Sequence, residues 1–291
     1  MYKLIAIDLD GTLLNSNGVV TQETKETLQK IISKNINVVL ASGRMIDSMK
    51  TFANEIGCNK YLIAGNGSII YDIEKDAIIY KNFLTKEKVL DVIKICEENS
   101  IYYNIYTDKE ILATALKYNV LYYNKENLNR EEKDRNKINI VSNMYEYVKN
   151  LENENFLKMT ICDEDKMIFN SIIRRIRQIK GIDVLDVGHM SRKVITQGTE
   201  EFEISYAYTE VSAQNVDKWE AIKYLLDQDN LTQEEVIAIG DNINDKIMIQ
   251  NAGLGIAMKD SSPVVKKVAN IVTERSNNED GVVNTLKKII N

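Results

Sequence analysis

The fold of this chain is decided near its N-terminus by the stretch LIAIDLDGT, residues 4–12, in which four apolar residues lead directly into two aspartates. A continuous apolar run of this length, rather than an alternating one, is typical of a strand buried on both faces of a parallel sheet. Similar runs recur at residues 38–41, 61–64 and 236–239, and each of them also leads into polar residues. We therefore expect an α/β fold built on a Rossmann-like parallel sheet.

A helical pattern lies between the first two of these runs. Thr21 is placed to cap its N-terminus, and Leu28, Ile31 and Ile32 form an apolar stripe. The β-α-β unit that results brings the carboxyl ends of its strands to one edge, which is where ligands bind in such sheets. The polar residues predicted at this edge are Asp8, Asp10, Ser42, Gly43, Arg44, Asn66, Asp241, Asn244 and Asp245.

The middle of the chain has a different pattern. Segments 101–106 and 156–161 mix apolar and polar residues, as half-exposed strands do. Amphipathic helices lie between them, one beginning near Thr85 and another near Asp165. The residues of the second helix that we expect to point inward are Ile168, Ile172, Ile176 and Ile179.

The chain has 291 residues, enough for about two domains. Hydrophobic residues make up 44% and charged residues 27%, a balance that is typical of a globular protein with a sizeable core. We expect a core domain formed by residues 1–82 and 208–291, and an inserted α+β domain formed by residues 83–207.

Charge and composition exclude several classes of partner. The 37 basic and 43 acidic residues give a net charge of −6, which argues against nucleic acid but leaves room for a small phosphorylated ligand. No apolar run is long enough to span a bilayer, and the first residues carry no cleavage signal, so we expect no membrane partner and a cytoplasmic protein. Three dispersed cysteines fit a reducing compartment, and one histidine excludes a histidine-rich metal site.

Asp8 and Asp10 carry the first chemical signal. Alternation along the strand predicts that both carboxylates point the same way, while Leu9 packs inward. Two such carboxylates repel each other unless a cation lies between them, and oxygen ligands of this kind suit Mg²⁺. Gly11 permits a sharp turn after the pair. Taken alone, this pattern is equally compatible with a surface turn or with the metal site of a glycosyltransferase.

Three further segments add chemistry at the same edge. Asp241 and Asp245 supply two more carboxylates, and such a convergence of acids destabilises a fold that has no metal ion to hold them. The hydroxyl of Ser42 and the backbone after it can hold a phosphoryl oxygen, and Lys218 begins a helix whose dipole favours an anion. The plain alternatives are helix caps for Asp241 and Ser42 and an exposed surface position for Lys218.

These segments, in their order along the chain, resemble the four motifs of the haloacid-dehalogenase (HAD) superfamily. The matching stretches are DLDGT at 8–12, SGR at 42–44, Lys218 and GDNIND at 240–245. Further matches are NG at 66–67, AGLGIAM at 252–258 and EDGV at 279–282. The chain looks like a Cof-type phosphatase of subfamily IIB, whose large C2-type cap is inserted between the second and third motifs. The resemblance implies the HAD fold for the core and a cap domain for residues 83–207.

The resemblance also implies roles for individual residues. Asp8 would be the nucleophile, and Asp10 would act as general acid and then as general base. The Asp8 side chain, the Asp10 backbone carbonyl and Asp241 would hold Mg²⁺. The transferring phosphoryl group would be bound by Ser42, Gly43, Lys218 and Asn244. Supporting roles would fall to Asp245, which would position Lys218 or a metal-bound water, to Asn66 at the same edge and to Arg44.

The implied function is a Mg²⁺-dependent phosphatase acting on small phosphorylated metabolites such as sugar phosphates, flavin mononucleotide or pyridoxal phosphate. The cap would select the leaving group, with His189 and Arg192 as candidate contacts, and its closure would partly desolvate Asp10. Two alternatives stay open: a phosphomutase, which uses the same motifs, and a non-catalytic sensor of a phosphorylated metabolite. The sequence names neither the physiological substrate nor the oligomeric state.

The chain departs from the family pattern at two places. Trp219 follows the motif-three lysine, where the family often has glycine. Lys259, Asp260 and Ser261 replace a Gly-Asn-Ala stretch, which removes the easy positive φ of glycine from that loop. Neither departure removes a group from the implied chemistry.

Overall fold

The computed structural model describes residues 1–58, 60–129, 132, 135–185, 191–197 and 200–290; residues 126, 129, 191–197 and 200–204 are described by their backbone alone. Contacts divide the chain into two compact units. The core unit comprises Met1–Lys81 and Val216–Asn291, and the inserted unit comprises Asn82–Asn215.

The core unit contains a mixed sheet of eight strands among the residues described. The strands are β1 (Leu4–Ile7), β2 (Asn37–Ala41), β3 (Tyr61–Ala64), β4 (Ile69–Asp72), β5 (Ala77–Lys81), β13 (Val236–Gly240), β14 (Leu254–Ala257) and β15 (Ile271–Val272). Their spatial order is β15-β14-β13-β1-β2-β3-β4-β5. Neighbours from β15 to β3 are parallel, and β4 and β5 continue the sheet antiparallel. The expected Rossmann-like parallel sheet is confirmed.

Strand order determines where the core unit can bind a ligand. From β1 the chain moves outward through β2 and β3, and from β13 it moves outward in the opposite direction through β14 and β15. β1 and β13 are therefore neighbours at the point where the winding reverses, and they pair in register from Leu4 with Val236 to Ile7 with Ile239. In open α/β sheets, the crevice beyond the carboxyl ends of two such strands is where ligands bind.

The helices of the core unit are α1 (Gln22–Ile32), α2 (Ile46–Ile56), α7 (Lys218–Asp229), α8 (Lys246–Asn251), α9 (Pro263–Lys266) and α10 (Gly281–Ile289). The predicted cap of α1 is confirmed, since the Thr21 side chain accepts a hydrogen bond from the backbone of Thr24. No helix in the described part of the chain is both long and apolar enough to cross a membrane.

The inserted unit has a sheet in which most neighbouring strands are antiparallel. Its strands are β6 (Tyr102–Thr107), β7 (Ile111–Ala113), β8 (Ile138–Ile140), β9 (Phe156–Asp163), β10 (Ile182–Val184), β11 (Ser191–Gln197) and β12 (Glu200–Ala213). The order is β10-β12-β9-β6-β7-β8, with β11 paired to β12. Its helices are α3 (Lys86–Glu98), α4 (Tyr118–Glu126), α5 (Met144–Asn150) and α6 (Lys166–Ile176). Both α3 and α6 pack on this sheet.

Two details of the inserted unit differ from the sequence prediction. The second boundary lies after Asn215 rather than after residue 207, because β12 is continuous to Ala213 and pairs with β9 and β10 there. In α6 the predicted inward position of Ile168 is wrong, since that side chain is 49% exposed. The buried stripe is instead Phe169, Ile172, Ile173 and Ile176. A spacing of four residues drifts around a helix, whereas spacings of three and four together follow one face.

Ile5 lies in the middle of the core sheet and is fully buried between two parallel neighbours. We expect Ile5→Ala to lower the free energy of unfolding by about 2–5 kcal/mol, because it removes buried apolar surface and leaves a cavity. Urea denaturation followed by circular dichroism measures the change. Ile78→Ala is the control, since Ile78 is 47% exposed on β5 and should shift the midpoint little. Equal shifts for the two variants would contradict the assignment of β1 to the centre of the core.

Candidate active site

β1 and β13 deliver two aspartates to neighbouring positions. Asp8 directly follows β1, its backbone N–H donates to Ile239 O at 3.0 Å, and its side chain is buried. Asp241 directly follows β13. Carboxylate oxygens of Asp8, Asp241 and Asp245 lie within 4.8 Å of one another, and we call these three residues the acidic cluster.

Burial and mutual repulsion make the acidic cluster costly to ionise fully. Burial, followed by the charge of Asp245, raises the pKa of Asp8 well above its usual value, although Lys218 opposes the shift. The same two causes raise the pKa of Asp241 to about 7. A cation relieves such repulsion, and a set of carboxylate oxygens is the donor set that hard divalent cations prefer. The acidic cluster can therefore hold a divalent metal ion.

Lys218 occupies the centre of this arrangement. It is the first residue of α7, follows the N-cap Asp217 and is 0% exposed. Its Nζ donates to Asp8 Oδ1 at 2.5 Å and to Asp245 Oδ1 at 2.6 Å. Burial by itself lowers the pKa of Lys218, but the Asp245 and Asp8 carboxylates outweigh it and raise the pKa above its usual value. The lysine is thus held in its charged form beside Asp8.

Asp245 fixes two parts of the site at once. Its Oδ1 accepts from Lys218, while its Oδ2 accepts from the backbone N–H groups of Asp241 and Asn242, both at 3.0 Å. Asp245 is fully buried. The role that the sequence analysis gave it, positioning Lys218, is consistent with these contacts.

Thr12 and Gly11 shape the surroundings of Asp241 in a way that the sequence did not reveal. Thr12 Oγ1 donates to Asp241 Oδ1 at 2.9 Å. Gly11 has a φ of +80°, and a Cβ there would lie 2.6 Å from Asp241 Oδ2. Both residues belong to the DLDGT stretch, and this membership was the signal in the sequence that they belong to the site. The contacts themselves could not be read from the sequence, because they join residues more than 200 positions apart.

Asp10 is not one of the three residues of the acidic cluster, but its charge contributes to the raised pKa of Asp241. Its Oδ1 accepts from Arg44 Nη2 at 2.6 Å and its Oδ2 accepts from Arg44 Nε at 2.8 Å. β1 ends at Ile7, so strand alternation does not extend to Asp8 and Asp10, and their common orientation stays a prediction. The Asp10 side chain is 59% exposed, and its desolvation on closure of the cap stays a prediction.

The loop after β2 forms a second connected group. Ser42 is buried, and the Arg44 backbone donates to its Oγ at 3.3 Å. Asn66 joins this loop to the loop after β13, since its backbone donates to Ser42 O at 2.9 Å and its Oδ1 accepts from Asn244 Nδ2 at 3.0 Å. A Cβ at Gly43 would lie 2.9 Å from Asn66 Oδ1, so the backbone at Gly43 packs closely against the Asn66 side chain. The backbone of Asn66 has a left-handed conformation, with a φ of +58°.

Both departures from the family pattern fit into the fold. Trp219 is nearly buried in the hydrophobic core, and its backbone donates to the capping carboxylate of Asp217 at 2.7 Å. The loop Lys259–Asp260–Ser261 has no positive φ, so glycine is not required there. Its backbone is tied down by a bond from Lys259 N to Thr273 Oγ1 at 2.8 Å.

The side chains of the cap residues that the sequence analysis named are not among those that the structure describes. His189 lies outside the described residues, and Arg192 lies in β11, of which the backbone alone is described. Their proposed contacts with a leaving group stay predictions.

Comparison with known proteins places the chain in a family. Residues 5–286 match the family model of haloacid dehalogenase-like hydrolases, so the chain belongs to this family. It is 28% identical to the 5-amino-6-(5-phospho-D-ribitylamino)uracil phosphatase YcsE of Bacillus subtilis, over 98% of this chain and 94% of that protein. It is 27% identical to the phosphatase YwpJ of the same organism, over 99% and 100% of the two chains.

Solved structures agree on the fold. A haloacid dehalogenase-like hydrolase from Bacteroides thetaiotaomicron superposes with a TM-score of 0.76 at 28% identity and covers both chains fully. A haloacid dehalogenase-like hydrolase from B. subtilis superposes with a TM-score of 0.80 at 24% identity, over 99% of this chain and 100% of that one.

The close approach of Gly11 to Asp241 gives a test of the acidic cluster. Gly11→Ala adds about 1–2 kcal/mol of left-handed backbone strain and pushes a methyl group against Asp241, so we expect weaker binding of Mg²⁺. Gly18→Ala is the matched control, because Gly18 has a φ of +72° but no atom within 4 Å of an added Cβ. Isothermal titration calorimetry compares the two variants, and equal affinities would argue against Asp241 as a metal ligand.

The raised pKa of Asp241 gives a second test, in metal-free protein. A carboxyl group whose pKa rises on folding stabilises the fold below its unfolded pKa of about 4, and that stabilisation is lost as pH rises through its folded pKa. Here the folded pKa is about 7. The Asp241→Asn variant has no carboxyl group to ionise at this position. Between pH 5 and pH 8 the free energy of unfolding of the wild type should therefore fall relative to that of the variant. Urea denaturation in EDTA measures this difference, which a pH-independent result would refute.

Proposed function

We propose that this chain is a Mg²⁺-dependent phosphatase that hydrolyses small phosphorylated metabolites through an aspartyl-phosphate at Asp8. One observation carries the proposal: the buried Asp8 carboxylate is held at 2.5 Å by a lysine that is itself anchored on Asp245. A buried nucleophile next to a fixed positive charge is suited to attack an anionic phosphorus centre. The names of the relatives, which are phosphatases, support the same reaction class.

The acidic cluster is the proposed metal site. The Asp8 and Asp241 side chains would hold Mg²⁺ together with the Asp10 backbone carbonyl, and Asp245 lies close enough to add to the negative potential. When bound, Mg²⁺ supplies positive charge that neutralises the clustered carboxylates and the phosphoryl oxygens. The convergence of three carboxylates on one buried spot is the feature that fits a divalent ion.

The first chemical step transfers the phosphoryl group to the protein. An Asp8 oxygen forms a bond to phosphorus while the bond from phosphorus to the substrate's alcohol oxygen breaks. The leaving alcohol takes a proton from the Asp10 carboxyl. Lys218, the Ser42 hydroxyl, the Gly43 backbone N–H and the Asn244 amide would bind the equatorial oxygens.

The second step returns the protein to its starting state. Asp10, now a carboxylate, takes a proton from a water molecule as the water's oxygen attacks phosphorus. The bond from phosphorus to Asp8 breaks, which frees inorganic phosphate and the Asp8 carboxylate. Arg44 donates two hydrogen bonds to Asp10 in the present structure, and these bonds orient the Asp10 side chain.

A phosphate-release screen over phosphorylated metabolites tests the function. We expect release with at least one of the esters, and a loss of about a thousandfold or more in Asp8→Asn, because the amide cannot form the intermediate. Asp260→Asn is the control, since Asp260 is exposed and has no role in the proposed chemistry. Circular dichroism confirms that the variants are folded. A wild-type rate in Asp8→Asn would refute the nucleophile.

The same screen separates the alternatives. Removal of Mg²⁺ with EDTA should abolish turnover, and its return should restore it. Conversion of a sugar 1-phosphate into the 6-phosphate without phosphate release would identify a phosphomutase instead. Binding of esters with no turnover on any of them would identify a sensor.

A further inference from the structure

A short turn after β3 contacts three segments of the candidate active site. It comprises Gly65, Asn66 and Gly67, and we call it the GNG turn. All three residues have a positive φ, of +57°, +58° and +105°. Glycine and asparagine adopt this backbone conformation more readily than other residues. The conformation therefore accounts for the residue types of the turn, but not for the contacts that the turn makes.

The GNG turn holds the backbone on both sides of Gly43. Asn66 N donates to Ser42 O at 2.9 Å, and Gly65 N donates to Arg44 O at 3.0 Å. The carbonyl of Ser42 and the N–H of Gly43 belong to one trans peptide, in which they are coplanar and point in opposite directions. The bond from Asn66 therefore fixes the direction of the Gly43 N–H, which points away from the turn.

The same turn packs against the start of α7. A Cβ at Gly67 would collide with Asp217 O and would lie 3.2 Å from Lys218 N. These two backbone atoms belong to the peptide that leads into Lys218, and the missing side chain of glycine is what allows the approach. The GNG turn is thus fixed in position relative to the backbone that carries the Lys218 ammonium.

The third contact is made by the Asn66 side chain. Its Oδ1 accepts from Asn244 Nδ2 at 3.0 Å, between residues that are 178 positions apart in the sequence. An amide nitrogen carries two hydrogens, so Asn244 can donate one to Asn66 and the other to a phosphoryl oxygen. The bond limits the rotation of the Asn244 side chain and thereby directs the second N–H.

The GNG turn also has a closing contact of its own. Ser68 is 0% exposed, and its backbone N–H and its Oγ donate to Gly65 O at 3.3 Å and 2.7 Å. Position 66 needs a residue that tolerates a positive φ, and glycine meets that need as well as asparagine does. Asn66→Gly therefore removes the amide group and leaves the backbone conformation and the backbone N–H in place.

We infer that Asn66 is a positioning residue of the phosphoryl-binding pocket and acts through Gly43 and Asn244. Its backbone N–H directs the Gly43 N–H, and its side-chain oxygen directs the Asn244 amide. The inference rests on the proposed function, which makes these two groups ligands of the phosphoryl oxygens. Donors that are already oriented stabilise the charge of the transferring group, because they need no reorganisation during the reaction.

Binding of orthovanadate in the presence of Mg²⁺ tests the role of the Asn66 side chain. Orthovanadate mimics the five-coordinate phosphoryl group, and isothermal titration calorimetry gives its dissociation constant. We expect binding to be about tenfold weaker in Asn66→Gly, because the Asn244 amide loses the bond that orients it. Asn35→Gly is the matched control and should bind like the wild type, since Asn35 is also left-handed, with a φ of +60°, but exposed. Equal affinities for Asn66→Gly and the wild type would overturn the inference.

A double-mutant cycle tests whether the Asn66 side chain acts through Asn244. Asn244→Ala removes the donor, so adding Asn66→Gly to this variant should weaken orthovanadate binding by less than about twofold more. A general structural effect of Asn66→Gly would instead weaken binding equally in both backgrounds, and that additive result would contradict the inference. Circular dichroism confirms that all the variants are folded.

Failure of this inference can be distinguished from failure of the proposed function. Orthovanadate binding needs no turnover, so the cycle can be completed even if the chain releases phosphate from no ester. Absence of orthovanadate binding by the wild type would overturn the inference, because Asn66 would then have no pocket to position. Absence of phosphate release, with the binding cycle as expected, would support the inference and count against the phosphatase alone.

Discussion

The fully buried ammonium of Lys218, between the carboxylates of Asp8 and Asp245, is the interaction on which the rest of the site depends. Without it, three carboxylates would lie within 4.8 Å of one another in a poorly solvated place. Even with it, negative charge remains in excess, and both Asp8 and Asp241 keep raised pKa values. The excess negative charge is the reason why the acidic cluster can accept one additional cation.

The strand order determines where in the core unit these charged groups meet. The paired residues of β1 and β13 are 232 positions apart in the sequence but adjacent in the sheet, so Asp8 and Asp241 emerge side by side. α7 begins at Lys218, which positions the ammonium, and the loops after β2 and β13 are joined through Asn66 and Asn244. Close backbone approaches complete the fit, above all at Gly11, where a Cβ would collide with Asp241.

The sequence by itself determined the elements that rest on local physics. Continuous apolar runs predicted the buried strands, and Thr21, Thr85 and Asp165 marked helix starts that the structure confirms. The ordered motifs predicted the family and the edge of the sheet at which acids gather. Only the tertiary structure decided which groups meet: Asp10 with Arg44, Thr12 with Asp241, and the end of the inserted unit at residue 215 rather than 207. These outcomes depend on where strands stop and which loops face each other, and side-chain periodicity along one segment carries no information about contacts between segments.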